Sequence, residues 1–255
     1  MSNPTVAHSS KVPAVTLGFW IVKIAATTLG ETGGDAITMT MNLGYAVGTV
    51  IFFALFLVLV AAQIRARSFH RFLYWAVIVA TTTVGTTMAD FADRSLDIGY
   101  VGGSSLLFVL VLVVLGAWYL AEGSVSVNNI KTPRVEMFYW LTILTSNTLG
   151  TALGDFLADD GGLGFEGGAL VFGAGLVVLA ALYFFTPISR TLLFWAAFIL
   201  TRPLGATLGD LLTKPHSEGG LDLSRFSSSA AIAIVIVICI SLMRQRAHSA
   251  IAPPT

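Results

Sequence analysis

The sequence predicts an all-α protein, a polytopic membrane bundle of eight transmembrane helices built from four parallel two-helix repeats. Three observations predict it. The 255 residues are 55% hydrophobic and only 11% charged, where a soluble domain carries roughly 25% charged residues. Apolar runs such as 44–62 and 230–243 recur along the chain, long enough or nearly so to cross a hydrocarbon layer of ~30 Å as helices. A sixteen-residue stretch that opens on Trp and closes on Asp occurs four times without insertion, at Trp20 to Asp35, Trp75 to Asp90, Trp140 to Asp155 and Trp195 to Asp210.

Self-similarity at fixed spacing is the signature of a repeat architecture. Counting each Trp as position zero, a Gly falls at position ten (Gly30, Gly85, Gly150, Gly205) and another at position twenty-four (Gly44, Gly99, Gly164, Gly219). Three copies also place Gly just before the Asp, at Gly34, Gly154 and Gly209, where the second copy has Ala89. The Trp residues are 55, 65 and 55 residues apart. The longer middle interval holds a polar stretch with Asn128, Asn129 and Pro133.

The elements follow in order. A polar tail, 1–16, has no signal-peptide pattern. The first half, 17–121, holds spans at 17–37, 44–64, 72–91 and 104–121. A linker, 122–137, leads to the second half, 138–243, with spans at 138–157, 168–185, 192–212 and 227–243, and a short tail, 244–255, follows. Each repeat contributes a motif helix and a plain apolar helix, so all four point the same way across the membrane.

Orientation comes from Lys and Arg, which concentrate on the cytoplasmic side. Nine lie where motif helices begin (Lys11, Arg65, Arg67, Arg71, Lys131, Arg134, Arg190, Arg244, Arg246), against three in the opposite loops (Arg94, Lys214, Arg225). Both termini are expected in the cytoplasm. The outer loops carry Asp93, Asp97, Asp159, Asp160, Glu166, Glu218 and Asp222. Trp20, Trp75, Trp140 and Trp195 are then expected as anchors at the membrane interface, where indole rings prefer to lie.

Within the motif, positions eight and fifteen share a helix face, pairing Thr28, Thr83 and Thr148 with Asp35, Asp90 and Asp155. Glu31, Thr86 and Thr151 add a polar group one turn before the Asp. Glycines at ten and fourteen make a small-xxx-small pattern that lets helices approach closely, so the motif helices are expected to pack around a shared centre. Acidic groups inside a membrane are costly and generally mark a substrate, ion or proton path. The expectation is an oxygen-rich cation site in which Asp35, Asp90, Asp155 and Asp210 are the metal or proton ligands. Helix-terminal carbonyls and local helix breaks at the glycines would contribute. The alternative is that each Asp caps a hydrated outer boundary. Lys23 is expected to snorkel to the cytoplasmic interface. Arg202, deeper and beside Pro203, is expected in an ion pair with Glu31 or an Asp, or against an anionic group.

Other chemistries find little support. His8, His70, His216 and His248 lie in tails or loops, Cys239 is the single cysteine, and there is no P-loop, dinucleotide fingerprint or nucleophile elbow. No enzyme activity, cofactor or nucleic-acid partner is expected; the expected partners are the lipid bilayer and a small ion or solute.

The four two-helix copies, each with its Trp and its Thr/Gly/Asp segment, resemble a family of bacterial inner-membrane proteins defined by four tandem repeats of unknown function. The resemblance spans residues 17–243 and implies the fold and the inner-membrane location, but no activity. Glu31-Thr-Gly-Gly-Asp35 is also similar to the Glu-x-Gly-Asp motif of cation/proton exchangers for manganese and calcium. It has one inserted residue, lacks the following basic residue and occurs in one repeat only. The function expected is therefore a secondary transporter or exchanger of a small inorganic cation, with or without proton coupling. The alternatives are a non-transporting membrane scaffold, or a transporter of an organic or anionic solute read through Arg202 and Lys23.

Overall fold

The computed structural model describes residues 10–96, 98–243 and 245. The expectations placed on Asp97, Arg244, Arg246, His8, His248, the first nine residues and most of the last tail lie outside them. The described residues form eight α-helices: α1 (Leu17–Asp35), α2 (Tyr45–Arg65), α3 (Arg71–Asp90), α4 (Tyr100–Glu122), α5 (Pro133–Asp155), α6 (Gly164–Phe185), α7 (Arg190–Thr213) and α8 (Arg225–Leu242).

Local chemistry starts and stops them. Thr16, Thr132 and Ser189 cap α1, α5 and α7 by accepting from Phe19, Val135 and Leu192 N–H groups at 3.3, 3.3 and 3.5 Å. The Thr132-Pro133 pair is a cap followed by a first-turn proline, so α5 begins inside the expected linker and leaves only 123–132 between the halves. The position-twenty-four glycines, Gly44, Gly99, Gly164 and Gly219, all take positive φ, from 64° to 87°. That left-handed turn, at which a Cβ is strained, lets the chain double back after each motif helix.

The motif helices close a ring in which α1 packs on α3, α3 on α5, α5 on α7 and α7 on α1. Each second helix packs along the motif helix of the next repeat: α2 on α3, α4 on α5, α6 on α7, and α8 back on α1. Every repeat is thus completed by its neighbour. Six helices are long and apolar enough to cross a membrane; the exceptions, α1 and α5, carry polar residues toward the ring. In the outer helices only 11–22% of the apolar window is buried, against 72% in α3 and 67% in α7. The outer surface is a sheath of exposed Leu, Val, Ile and Phe, the composition of a lipid-facing face rather than a hydrated one.

The helices do not end at the Asp. After Asp35, Asp90 and Asp155 the backbone widens into single π turns, Ala36–Thr40, Phe91–Ser95 and Phe156–Asp160, while α7 runs on to Thr213. The expected helix-terminal carbonyls are therefore not free there: the carbonyls of Thr32, Gly33 and Gly34 accept from Ala36 N–H. Nor do the motif glycines break their helices. Such π turns are rare and recur at functional sites.

At the other end the N-terminal segment straps the bundle. The Lys11 ammonium donates to the carbonyls of Gln63, Ile64 and Ala66, the C-terminal turn of α2, at 2.9–3.1 Å. It also meets Glu136 of α5 at 2.5 Å.

Candidate functional site

The ring axis is filled by layers, each drawing one residue from the same position of every repeat. At the Trp end the residue before each Trp meets the Trp of the next repeat. Phe19 contacts Trp75, Tyr74 contacts Trp140, Tyr139 contacts Trp195 and Phe194 contacts Trp20, with ring centroids 5.4–6.1 Å apart. The Tyr74 and Tyr139 hydroxyls share a hydrogen bond of 2.6 Å. The expectation of interface anchors fails for Trp75, Trp140 and Trp195, which are buried in this cluster; Trp20 is half-buried. Their indoles turn inward because an aromatic neighbour waits at every step of the ring.

Position three supplies Lys23, Ile78, Ile143 and Phe198, all fully buried. Lys23 does not snorkel, because its face of α1 turns to the axis. Its ammonium lies 4.2 Å from the centre of the Phe198 ring and 3.4 Å from Asn147 Oδ1. Position seven supplies Thr27, Thr82, Asn147 and Arg202, against which the position-ten glycines pack. A Cβ on Gly30 would overlap Thr82, on Gly150 Arg202, and on Gly205 Thr27; on Gly85 it would come within 2.9 Å of the Asn147 backbone. Position fourteen behaves alike one turn on: Gly34 abuts Thr86, Gly154 abuts Ala206 and Gly209 abuts Glu31. All four motif helices therefore run parallel, one register apart.

Interhelix hydrogen bonds stitch this level. Thr82 Oγ1 donates to Ala26 O at 3.1 Å, Thr27 Oγ1 to Thr201 O at 3.2 Å, and Asn147 Nδ2 to Thr81 Oγ1 at 3.0 Å. Thr28, Thr83 and Thr148, expected to line the ion site on the same face as the Asp residues, are buried but do not converge on the axis. Those hydroxyls donate back to Ile24, Val79 and Leu144 on their own helices at 2.9–3.0 Å. The groups that reach the axis are one residue earlier and three later.

The Arg202 guanidinium occupies the axis at position eleven. Its Nη2 donates to Glu31 Oε2 at 2.9 Å and to Thr86 and Thr151 Oγ1 at 2.6 Å each. Residues from all four repeats thus meet through one side chain. The Nε and Nη1 atoms of Arg202 have no hydrogen-bond partner among the described residues.

Position fifteen brings Asp35, Asp90, Asp155 and Asp210 together at the far end of the ring, all buried at 2–4% exposure. That burial removes the alternative of a hydrated cap. Arg94, Lys214 and Arg225, which in the sequence bear only on orientation, all bind this ring. Arg94 Nε meets Asp90 Oδ1 at 3.0 Å and its Nη2 reaches Asp155 Oδ2 at 3.8 Å. Lys214 Nζ meets Asp35 Oδ2 at 3.0 Å and Asp210 Oδ1 at 3.2 Å. Arg225 Nε lies 3.6 Å from Asp35 Oδ2. A signal was present in the sequence: Asp90–Arg94 and Asp210–Lys214 share the i,i+4 spacing that brings side chains together on a helix.

One carboxylate oxygen from each of Glu31, Asp35 and Asp210 lies within 4.8 Å of the others, a spacing compatible with oxygen ligands around one cation. Burial disfavours the Lys214 ammonium, but the Asp210 and Asp35 carboxylates outweigh it and hold its pKa well above the ordinary lysine value.

Fold and site together define a helical protein of membrane type, a pseudo-fourfold ring with a charged, closed axis. The comparison with known families gives the particular one. Residues 18–69, 73–124, 138–189 and 193–247 each match the Repeat of Unknown Function (DUF347), and the chain belongs to that family. Neither the curated proteins nor the solved structures contain a match.

Proposed function

We propose that this protein is a secondary transporter or exchanger of a small inorganic cation, with the Asp ring as its ion site. One observation carries the reading. Four buried carboxylates and Glu31 gather at one end of the axis, neutralised by long basic side chains of which Arg94 and Arg225 retain solvent exposure, 32% and 19%. Carboxylates buried inside an apolar bundle need a compensating cation. Here the chain's own cations supply it, and an incoming ion competes with them for the same oxygens. The filled axis then corresponds to an occluded form, closed by aromatics at one end and ion pairs at the other. The Lys and Arg distribution supports both termini on the cytoplasmic face of a bacterial inner membrane, with the Asp ring toward the outside.

A second reading, a non-transporting scaffold, is favoured by the same filling of every layer from the Tyr74–Tyr139 pair to Arg202. Thermal stability of the purified protein against chloride salts of several cations, at fixed ionic strength, separates the two. A ligand that binds only the folded state stabilises it by about 2.7 kcal/mol at a hundred times its dissociation constant. The exchanger reading expects a selective upward shift for one cation, lost in Asp35→Asn. A flat response in wild type, with Asp35→Asn and Asp155→Asn no less stable, would sink the cation site and leave the scaffold.

A further inference from the structure

Between the aromatic end and the Asp ring, the axis carries more positive charge than its own residues balance. Lys23 and Arg202, both fully buried, face it at positions three and seven. Glu31 is the single acidic residue at positions three, seven and eleven of the four repeats, and it is paired with Arg202 Nη2 at 2.9 Å. Lys23 has no carboxylate partner among the described residues. Its ammonium meets Asn147 Oδ1 at 3.4 Å and the face of Phe198, and the charge that acts on it is that of Arg202, which repels it. A contact with an aromatic face offsets only part of the cost of taking an ammonium out of water. Hydrogen bonding points the same way. The Nε–H and both Nη1–H bonds of Arg202 find no acceptor among the described residues, although the side chain is fully buried. The hydroxyls at the same level are donors as well: Thr27 Oγ1 donates to Ile24 O and Thr201 O, and Thr82 Oγ1 to Val79 O and Ala26 O. Unused donors beside an unbalanced positive charge are the complement of an anion.

We infer that a small monovalent anion of halide size binds on the axis between Lys23 and Arg202, held by the Lys23 ammonium and the Nε–H and Nη1–H groups of Arg202. The two residues start one helical turn apart, about 6 Å along the axis, and Asn147, at the Arg202 level, already touches the ammonium. One negative charge balances two cations and one carboxylate, which selects the monovalent class. Packing selects the size. A Cβ on Gly150 would overlap Arg202, and one on Gly85 would come within 2.9 Å of the Asn147 backbone, so this level admits a compact ion and excludes an organic carboxylate. The site goes beyond the cation-exchange reading and does not depend on it: the Asp ring lies at position fifteen, about 12 Å further along the helices.

The test uses the full chain, purified in detergent in sodium gluconate, whose bulky anion the packed axis excludes. Sodium bromide replaces sodium gluconate at fixed sodium concentration and ionic strength, so the Asp ring meets the same cation throughout. About a hundredfold excess of bromide over its dissociation constant should raise the unfolding temperature of wild type by about 5–10 °C. Lys23→Met, which removes the charge and keeps most of the side-chain volume, should lose that response. Crystals of wild type grown in bromide should show its anomalous scattering between Lys23 Nζ and Arg202 Nη1, which locates the ion even where Lys23→Met does not fold. Absence of a bromide shift in wild type, or of a peak on the axis, overturns the inference. So does a shift that Lys23→Met keeps, or a peak confined to Arg94, Lys214 and Arg225 at the Asp ring. All of these outcomes leave the cation-exchange reading standing, and a flat response to the series of cations removes that reading without touching the anion site.

Discussion

The two ends of the four-helix ring are closed by different physics. At the Trp end, four aromatic residues and four indoles interlock around the circle, and the Tyr74–Tyr139 hydrogen bond there is satisfied within the pair. At the Asp end, four carboxylates are held by three basic side chains that reach in from the turn after α3, the C-terminus of α7 and the start of α8. Aromatic packing is short-ranged and is lost once rings separate. An ion pair can instead be exchanged for another ion pair without leaving a charge bare. The same sixteen-residue motif therefore builds one end closed by aromatic packing and one closed by ion pairs.

The largest effects should come from the place where the two chemistries meet. Arg202→Met leaves Glu31 buried without a cation, and removing one partner of a buried ion pair costs about 3–5 kcal/mol. Chemical unfolding in detergent should show a loss of that size; a loss below about 1 kcal/mol would mean that Glu31 is not held by Arg202. Trp140→Ala should cost a similar amount, about 3–5 kcal/mol for a large aromatic truncated in a packed core. The two variants separate in their ionic response. The cost of Trp140→Ala should be unchanged by any cation that stabilises wild type, whereas that of Arg202→Met should vary with it. Equal responses would break the division between the ends.

Smaller effects sharpen it. Thr151→Val removes one of the two hydroxyls that accept from Arg202 Nη2 at 2.6 Å. A hydrogen bond to a charged group contributes about 1.5–3 kcal/mol, and the variant should lose stability within that range. Tyr139→Phe should cost about 1–3 kcal/mol, because the buried Tyr74 hydroxyl loses its partner. The double variant Tyr74→Phe with Tyr139→Phe should recover most of this, since neither group is then left unpaired. A double variant less stable than Tyr139→Phe would show the two hydroxyls to be held by something other than each other.

Much of the fold was legible because the motif repeats. Four copies at fixed spacing specify four parallel motif helices, and glycines at ten, joined by glycine at fourteen in three copies, specify a close approach that the ring makes in every repeat. The pairing of each apolar helix with the next repeat was not legible. Residues 50–60 of α2 or 230–240 of α8 are apolar on every side, so no stripe says which neighbour they cover. Lys23 and the Trp residues were misplaced for a shared reason. Amphipathic side chains near a helix end are expected at the interface, and only the closed ring shows that this face of each motif helix turns inward. The cations at position nineteen were visible by their i,i+4 spacing from Asp90 and Asp210, but a count of charges by side of the membrane hides pairing.

The threonines give the narrowest test of which residues the axis uses. Positions eight and fifteen lie on one face of an isolated helix, which points to Thr28, Thr83 and Thr148 as the polar lining. A ring of parallel helices with glycine contacts at ten and fourteen presents positions three, seven and eleven instead, about 60–140° around the helix from position eight. Thr148 Oγ1 accordingly donates to Leu144 O, four residues back on its own helix, at 3.0 Å. Thr148→Val removes only that local bond, on a helix whose ladder is otherwise intact, and a β-branched side chain of similar volume takes the space. The expected change is within about 0.5 kcal/mol, with any cation response left as in wild type. A loss as large as that of Thr151→Val, or an altered cation response, would return position eight to the axis and rotate the whole assignment of its lining.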